Sequence, residues 1–316
     1  MVIDLTWSEE DTRSHIMALP CFSGVSSVQP LVGGLCNRNF VVEDAVGKFV
    51  VRIGGDIWVH GISQVSVQNA MRAAGALGVT PMLRYAEAGL VVTDFITGRA
   101  LRAEDVADET ILADWVARLR ELHDGVRSTA GAMTYFWPFQ VVRHYLHYCR
   151  ANKGPHLAAL DDLDSVVDGL EKLVKPYRPV FTHNDVVPQN AMIDLAGRVQ
   201  LIDWDYGGFG HPYFDVSGIA TNADAGPEVE ARVIELYEGE VTPELWRTFR
   251  LFKVAVSLRE YLWGIAQELS SDLDAETVGA GMAALYPDET PGYSGYADMN
   301  RRRYEHSLAE FRRFHQ

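Results

Sequence analysis

The sequence is poor in the features that mark a secreted, membrane-embedded or nucleic-acid-binding protein. It has 3 cysteines among 316 residues, Cys21, Cys36 and Cys149. They form no CxxC pair and lie in no His-rich spacing, so they read as reduced thiols, not as a disulfide frame or a zinc site. Positive charge is scarce: 28 Lys+Arg stand against 43 Asp+Glu, a formal net charge of −15. That balance argues against nucleic acid or an anionic membrane surface as the main partner. It leaves room for a small phosphorylated ligand, which needs one local positive site. No apolar run approaches the ~20 residues of a membrane span. Residues 1–10 have neither a basic stretch nor an apolar core, so no signal peptide is expected, and a cytoplasmic protein without membrane insertion is the expectation. GxGxxG, GxxxxGK[ST] and GxSxG are missing, which disfavours a dinucleotide site, a Walker A loop and a serine hydrolase.

What is present suffices for a sizeable core: 47% of residues are apolar and 22% charged, over a length that fits two domains or one core in two lobes. Ser8 followed by acids opens a helix over 8–18. The pattern is then β at 28–32, 39–43 and 48–53, helical at 63–77 up to Gly78, and β again at 82–86 and 90–93. After Thr97-Gly98 helical periodicity takes over at 103–125, 137–151 and 157–174, for example Ile111, Trp115, Leu119 and Leu122. Short strands return at 179–182, 191–193 and 199–202, and helices at 212–222, 227–239, 242–269 and 297–314. The plan is α+β: a small, mostly antiparallel β-sheet lobe with one main helix (1–97), then a larger, mostly helical lobe (98–316).

The chemistry concentrates in Phe181-Thr182-His183-Asn184-Asp185-Val186-Val187-Pro188-Gln189-Asn190 and Leu201-Ile202-Asp203-Trp204-Asp205. Two short apolar strands each deliver an acid at their end, with Asn190 between. Phosphoryl transfer from ATP uses this set: a carboxylate that orients the acceptor hydroxyl and takes its proton, and an Asn and a second Asp that hold Mg²⁺. Asp185 is therefore the expected base, and Asn190 and Asp203 the expected metal ligands, oxygen donors suited to Mg²⁺.

These segments resemble the choline/ethanolamine kinase group of the aminoglycoside phosphotransferase-like branch of the protein-kinase-like fold. The resemblance runs from Gly33-Gly34-Leu35-Cys36-Asn37-Arg38-Asn39 through Val50-Val51-Arg52-Ile53, Leu119-Arg120-Glu121-Leu122-His123 and the catalytic loop. It continues through Asp203-Trp204-Asp205-Tyr206 and Phe214-Asp215 to Trp263-Gly264. It implies a bilobal protein-kinase-like fold and a small-molecule kinase using ATP and Mg²⁺. Gly33 and Gly34 would cover the phosphates, with Asn37, Asn39 and Gln189 nearby, and Arg52 would bind them in place of the usual lysine. Adenine would lie against the crossover Asp94, Phe95 and Ile96. In this fold a Glu on the small-lobe helix usually pairs with that cation. Here the position is Val65, so either a Gln or an acid from elsewhere orients Arg52, or its hold on the phosphates is loose. Asp215 would hold the backbone of the catalytic loop, and His183 would pack beneath it. Asp205 fits either a metal contact or a supporting role.

For the acceptor, the resemblance implies a pocket of aromatics and an acid. Glu260, Trp263 and Gln267 fall on one face of a late helix, and Tyr206 and Asn222 complete the expected set beside Asp185. A second Trp and one acid of the family pattern are replaced by Ala266 and Asn222. The implied acceptor is a small amino-alcohol, choline or ethanolamine. An aminoglycoside, thiamine or another small alcohol remains an alternative, as does a nucleotide-binding pseudokinase.

Overall fold

The computed structural model describes residues 6–31, 37–125, 131–154, 157–271, 273 and 275–315. Ser8 caps the first helix, α1 (Glu9–Met17), its hydroxyl accepting from the Asp11 N–H at 3.1 Å. Strands β1 (Ser27–Leu31), β2 (Arg38–Glu43) and β3 (Lys48–Ile53) lead into α2 (Gln64–Leu77), and β4 (Leu83–Glu87) and β5 (Leu90–Asp94) follow. The five strands form an antiparallel sheet in the order β1-β2-β3-β5-β4. Its alternating residues Val28, Phe40, Val42, Val51, Ile53, Leu90 and Val92 bury one face together with Ile16 and Leu19. The register sets Asn39 opposite Arg52. Helix α2 ends at Gly78, whose φ of +72° only glycine adopts easily. The buried face of α2 (Val67, Ala70, Met71, Ala74) joins the larger core that follows.

Strand β6 (Gly98–Ala100) leaves the first sheet. The helix expected over 103–125 is broken: a 3-10 turn spans Ala103–Ala107, and α3 (Glu109–Gly125) starts afresh. The cause is Asp108, whose carboxylate accepts from the N–H groups of Thr110 (2.8 Å) and Ile111 (3.2 Å) and caps the new helix. After β7 (Thr134–Tyr135) come α4 (Pro138–Ala151) and α5 (Leu163–Glu171). The latter is shorter than the 157–174 expected, because Leu157–Leu160 form a separate 3-10 turn. Strands β8 (Val180–Thr182), β9 (Ala191–Asp194), β10 (Val199–Leu201) and β11 (Gly208–Gly210) build two small sheets, β10-β9-β6 and β7-β11-β8. A Cβ at Gly208 would lie 2.3 Å from the Thr134 carbonyl oxygen, so this strand approaches its neighbour only without a side chain.

Helices α6 (Pro212–Asn222), α7 (Pro227–Glu238), α8 (Pro243–Ser270), α9 (Ala275–Leu285) and α10 (Tyr293–His315) complete the chain. Helix α9 is absent from the sequence reading, and α10 begins at Tyr293, ahead of the expected 297. Helix α8 packs against α4, α6 and α10. At Gly264 a Cβ would meet Ala297 at 3.0 Å, so the α8–α10 crossing depends on that glycine. Among the described residues no helix is long and apolar enough to cross a membrane.

Candidate active site

The loop from β8 to β9 is clamped from below. Asp215, on the first turn of α6 and fully buried, accepts from the His183 N–H at 2.7 Å, the Asn184 N–H at 2.8 Å and His123 Nε2 at 3.1 Å. Such a carboxylate is stable in the core because every donor aimed at it is satisfied. His183 donates from Nε2 to the Ile202 carbonyl at 2.9 Å, and burial holds its imidazole below the usual range. It is thus a neutral strut beneath the loop. Asn184 sits at φ +64° and donates from Nδ2 to the Tyr206 carbonyl at 2.9 Å, linking the loop to the segment after β10. Asn222, expected among the acceptor contacts, donates its amide to the Val186 carbonyl at 2.8 Å. It grips the loop from α6.

Asp185, the next residue of the loop, is held from two sides. One carboxylate oxygen accepts from Asn190 Nδ2 at 2.7 Å, the other from Arg259 Nη1 at 2.9 Å. Burial pushes the Asp185 carboxyl up from its usual range; Arg259 opposes this, and the carboxylates of Glu260 and Asp203 add to it. Asp203, like Asn184, is a non-glycine residue at φ +64°, so both strand ends turn through a left-handed residue.

From the small sheet, Arg52 of β3 reaches Asp205 at 2.5 Å and Asp203 at 3.1 Å. Asn37 completes the cluster: with its amide oxygen facing the guanidinium it accepts from Arg52 Nη2 at 2.5 Å and Nε at 3.1 Å. Val65 is 63% exposed and carries no charge. The acid that orients Arg52 therefore comes from the Asp203-Trp204-Asp205 segment. Trp204 anchors that segment, stacked on Phe181 at 5.8 Å with its Nε1 donating to Thr80 at 3.0 Å. Burial raises the Asp205 carboxyl, with Arg52 opposing.

An all-oxygen donor set suits a hard cation. The Asn190 side-chain nitrogen is turned to Asp185, which leaves its carbonyl oxygen for another partner, and the Asp203 side chain is 39% exposed. Gln189 beside them has a buried Oε1 with no partner among the described residues. Also among those residues, no group of three or more His, Cys, Asp and Glu side chains is arranged for a metal. Any ion here would rest on few protein ligands and on the oxygens of its substrate, the habit of Mg²⁺.

Gly33 and Gly34 lie outside the described residues. Asn39 is brought beside Arg52 by the β2–β3 register. In the crossover, Asp94 forms a two-point ion pair with Arg84 (2.7 and 2.9 Å). The Asp94 and Phe95 N–H groups donate to the carbonyls of Met82 (3.2 Å) and Lys48 (3.1 Å), so neither is presented to a base edge. Ile96 is buried at the end of this segment.

The acceptor set converges on α8. Tyr206 accepts at its hydroxyl from Trp263 Nε1 at 3.0 Å, and Glu260 is buried and accepts from the Tyr296 hydroxyl at 2.7 Å. The Trp263 and Tyr296 rings meet edge to face at 5.3 Å. Two members of this group, Arg259 and Tyr296, are absent from the sequence reading. The signal for Arg259 lies in its helix. Residues 254–266 of α8 are apolar on nearly every face, so an Arg-Glu pair in their midst must be buried and paired. Tyr296 lies in the first turn of α10, ahead of the expected start of that helix.

Residues 27–252 match the APH phosphotransferase enzyme family. Protein LicA of Haemophilus influenzae is 26% identical over 212 residues, covering 65% of this chain and 61% of that protein. The chain thus spans about three-fifths of the length of that relative. A choline/ethanolamine kinase family protein from Mesorhizobium loti superposes with a TM-score of 0.73 at 22% identity, over 96% of this chain and 97% of the other. Choline kinase LicA from Streptococcus pneumoniae does so with 0.71 at 19%, over 96% and 98%. At these identities the likeness establishes a shared fold, α+β and protein-kinase-like.

Proposed function

We propose that this chain, which belongs to the phosphotransferase enzyme family, is a small-molecule kinase that uses ATP and Mg²⁺ to phosphorylate the hydroxyl of a small amino-alcohol. The observation that carries the reading is the position of Asp185, held at one oxygen by Asn190 and at the other by Arg259, and within electrostatic reach of Asp203, which pairs with Arg52.

Asp185 orients the acceptor hydroxyl and takes its proton as the oxygen attacks. Its two hydrogen bonds fix the plane of the carboxylate before the acceptor arrives, and preorganisation of this kind is most of what a phosphotransferase contributes. Its raised affinity for a proton suits a base, which must hold the proton it removes. Asn190 and Asp203 would hold Mg²⁺, which supplies neutralising charge to the transferring phosphoryl group. Arg52 binds phosphate oxygens with a planar guanidinium once it turns from Asp203. In this reading residues 1–97 are the nucleotide-binding lobe, and residues 98–316 carry the catalytic loop and the acceptor site. Support for an amino-alcohol is the Tyr206–Trp263–Glu260 grouping next to the base, together with the choline kinase named among the fold neighbours.

The test is ADP release from Mg²⁺-ATP against choline, ethanolamine, methylated amino-alcohols, thiamine, homoserine and several aminoglycosides, with Asp185→Asn as the blank. Turnover on an amino-alcohol that vanishes in the variant is the expected result. Equal ADP release by both proteins contradicts it.

A further inference from the structure

A quaternary ammonium is recognised by laying it over an aromatic face and backing it with a carboxylate, because it has no N–H to donate. Beside Asp185 the described residues build such a seat: the Tyr206 ring, flanked by Trp263, with the Glu260 carboxylate next to it. The seat is filled by the protein itself. The Arg259 guanidinium carbon lies 4.2 Å above the Tyr206 ring, and Nη1 donates to Glu260 at 2.5 Å and to Asp185 at 2.9 Å. Arg259 is 1% exposed, and its Nε and Nη2 have no partner among the described residues.

We propose that Arg259 sets the class of acceptor: by occupying the cation seat it excludes a methylated quaternary ammonium and selects an alcohol whose head carries a primary amine or a hydroxyl. The inference rests on the phosphotransferase reading for the word acceptor, while its physical content is a statement about binding. Any ammonium entering this site meets a like charge at short range in a buried setting, where repulsion is poorly screened, and only one with N–H groups can offset that cost with hydrogen bonds to the carboxylates. Swinging Arg259 out would strip Asp185 of one donor and leave Glu260 buried with the Tyr296 hydroxyl alone. A methylated ammonium cannot replace those hydrogen bonds. A primary amine can donate to Glu260, and a hydroxyl can accept from the unpartnered Nε or Nη2.

The experiment is calorimetric titration of choline, tetramethylammonium and ethanolamine into the full chain, native and as Arg259→Gln and Arg259→Leu, with folding of each checked by thermal melting. Choline should bind the native chain at least ~10-fold more weakly than ethanolamine, and either folded variant should gain at least ~10-fold in choline and tetramethylammonium affinity without a matching gain for ethanolamine. Native choline binding as tight as that of ethanolamine overturns the proposal. So does a folded variant whose choline affinity is unchanged, the outcome expected if Arg259 serves only the transferring phosphate. Should neither variant fold, the native comparison decides. Binding is read without turnover, so an enzyme silent in ADP release but showing this pattern would refute the reaction and leave the seat assignment intact.

Discussion

The Arg52 guanidinium lies 2.5 Å from Asp205, a residue two positions beyond the expected metal ligand Asp203. The cation of the small sheet is thereby tied to the segment that follows β10, and α2 supplies no acid to it. Both side chains are largely buried, so the pair is poorly screened and fixes Arg52 in position. Asp205→Asn should raise the KM for ATP by about 10-fold with a smaller loss of kcat, since Arg52 loses the partner that holds it when it turns from Asp203 to the phosphates. Val65→Glu, at an exposed position, should change neither constant by more than about twofold. Steady-state kinetics with varied ATP reads both. A large effect at Val65 and none at Asp205 would place the orienting acid on the helix after all.

Asp215 concentrates three donors on one buried carboxylate. Removing it leaves two loop N–H groups and His123 without an acceptor. Asp215→Ala should destabilise the fold by about 2–4 kcal/mol, as judged from denaturant unfolding. A loss below about 0.5 kcal/mol would mean that water or a neighbour satisfies the loop equally well.

Trp204 tests the anchoring of the other acidic segment. It is fully buried, stacked on Phe181 and bonded to Thr80. Trp204→Ala should cost about 3–5 kcal/mol, and Trp204→Phe should cost less because the ring stack survives while the Thr80 bond is lost. Equal losses in the two variants would contradict a packing role for the indole.

Metal dependence follows from the donor set. Chelation with EDTA should abolish turnover while leaving the melting temperature unchanged, because the loop is held by protein groups and not by an ion. Asp203→Asn should raise the Mg²⁺ concentration needed for half-maximal rate by on the order of tenfold. Full activity in EDTA would remove Asn190 and Asp203 from the metal assignment.

Much of this was legible in the sequence. Period-two alternation located the strands of the small sheet to within a residue or so, because its inner face is uniformly apolar. The 183–190 segment stood out because its residue types and spacing have few other uses, while the expected task of Asp215 came from the resemblance and not from its helix. What escaped detection depends on distant contacts. Strands β6, β7 and β11 are two or three residues long and are defined by partners far away in sequence. Helix α9 is rich in Ala and Gly and shows little face preference. Arg259 needed the fold to bring α8 against the 183–190 loop, and Asn222 looks the same in sequence whether it faces a substrate or the Val186 carbonyl.

The central claim is that Asp185 is the base of a phosphotransferase, and single-turnover and steady-state ADP release by Asp185→Asn tests it most directly. The substitution keeps the shape of the side chain and its contact with Asn190, so the fold and nucleotide affinity should persist while kcat falls about 10²–10⁴-fold. A kcat within about threefold of the native value, in a variant that melts at the native temperature, would contradict the account.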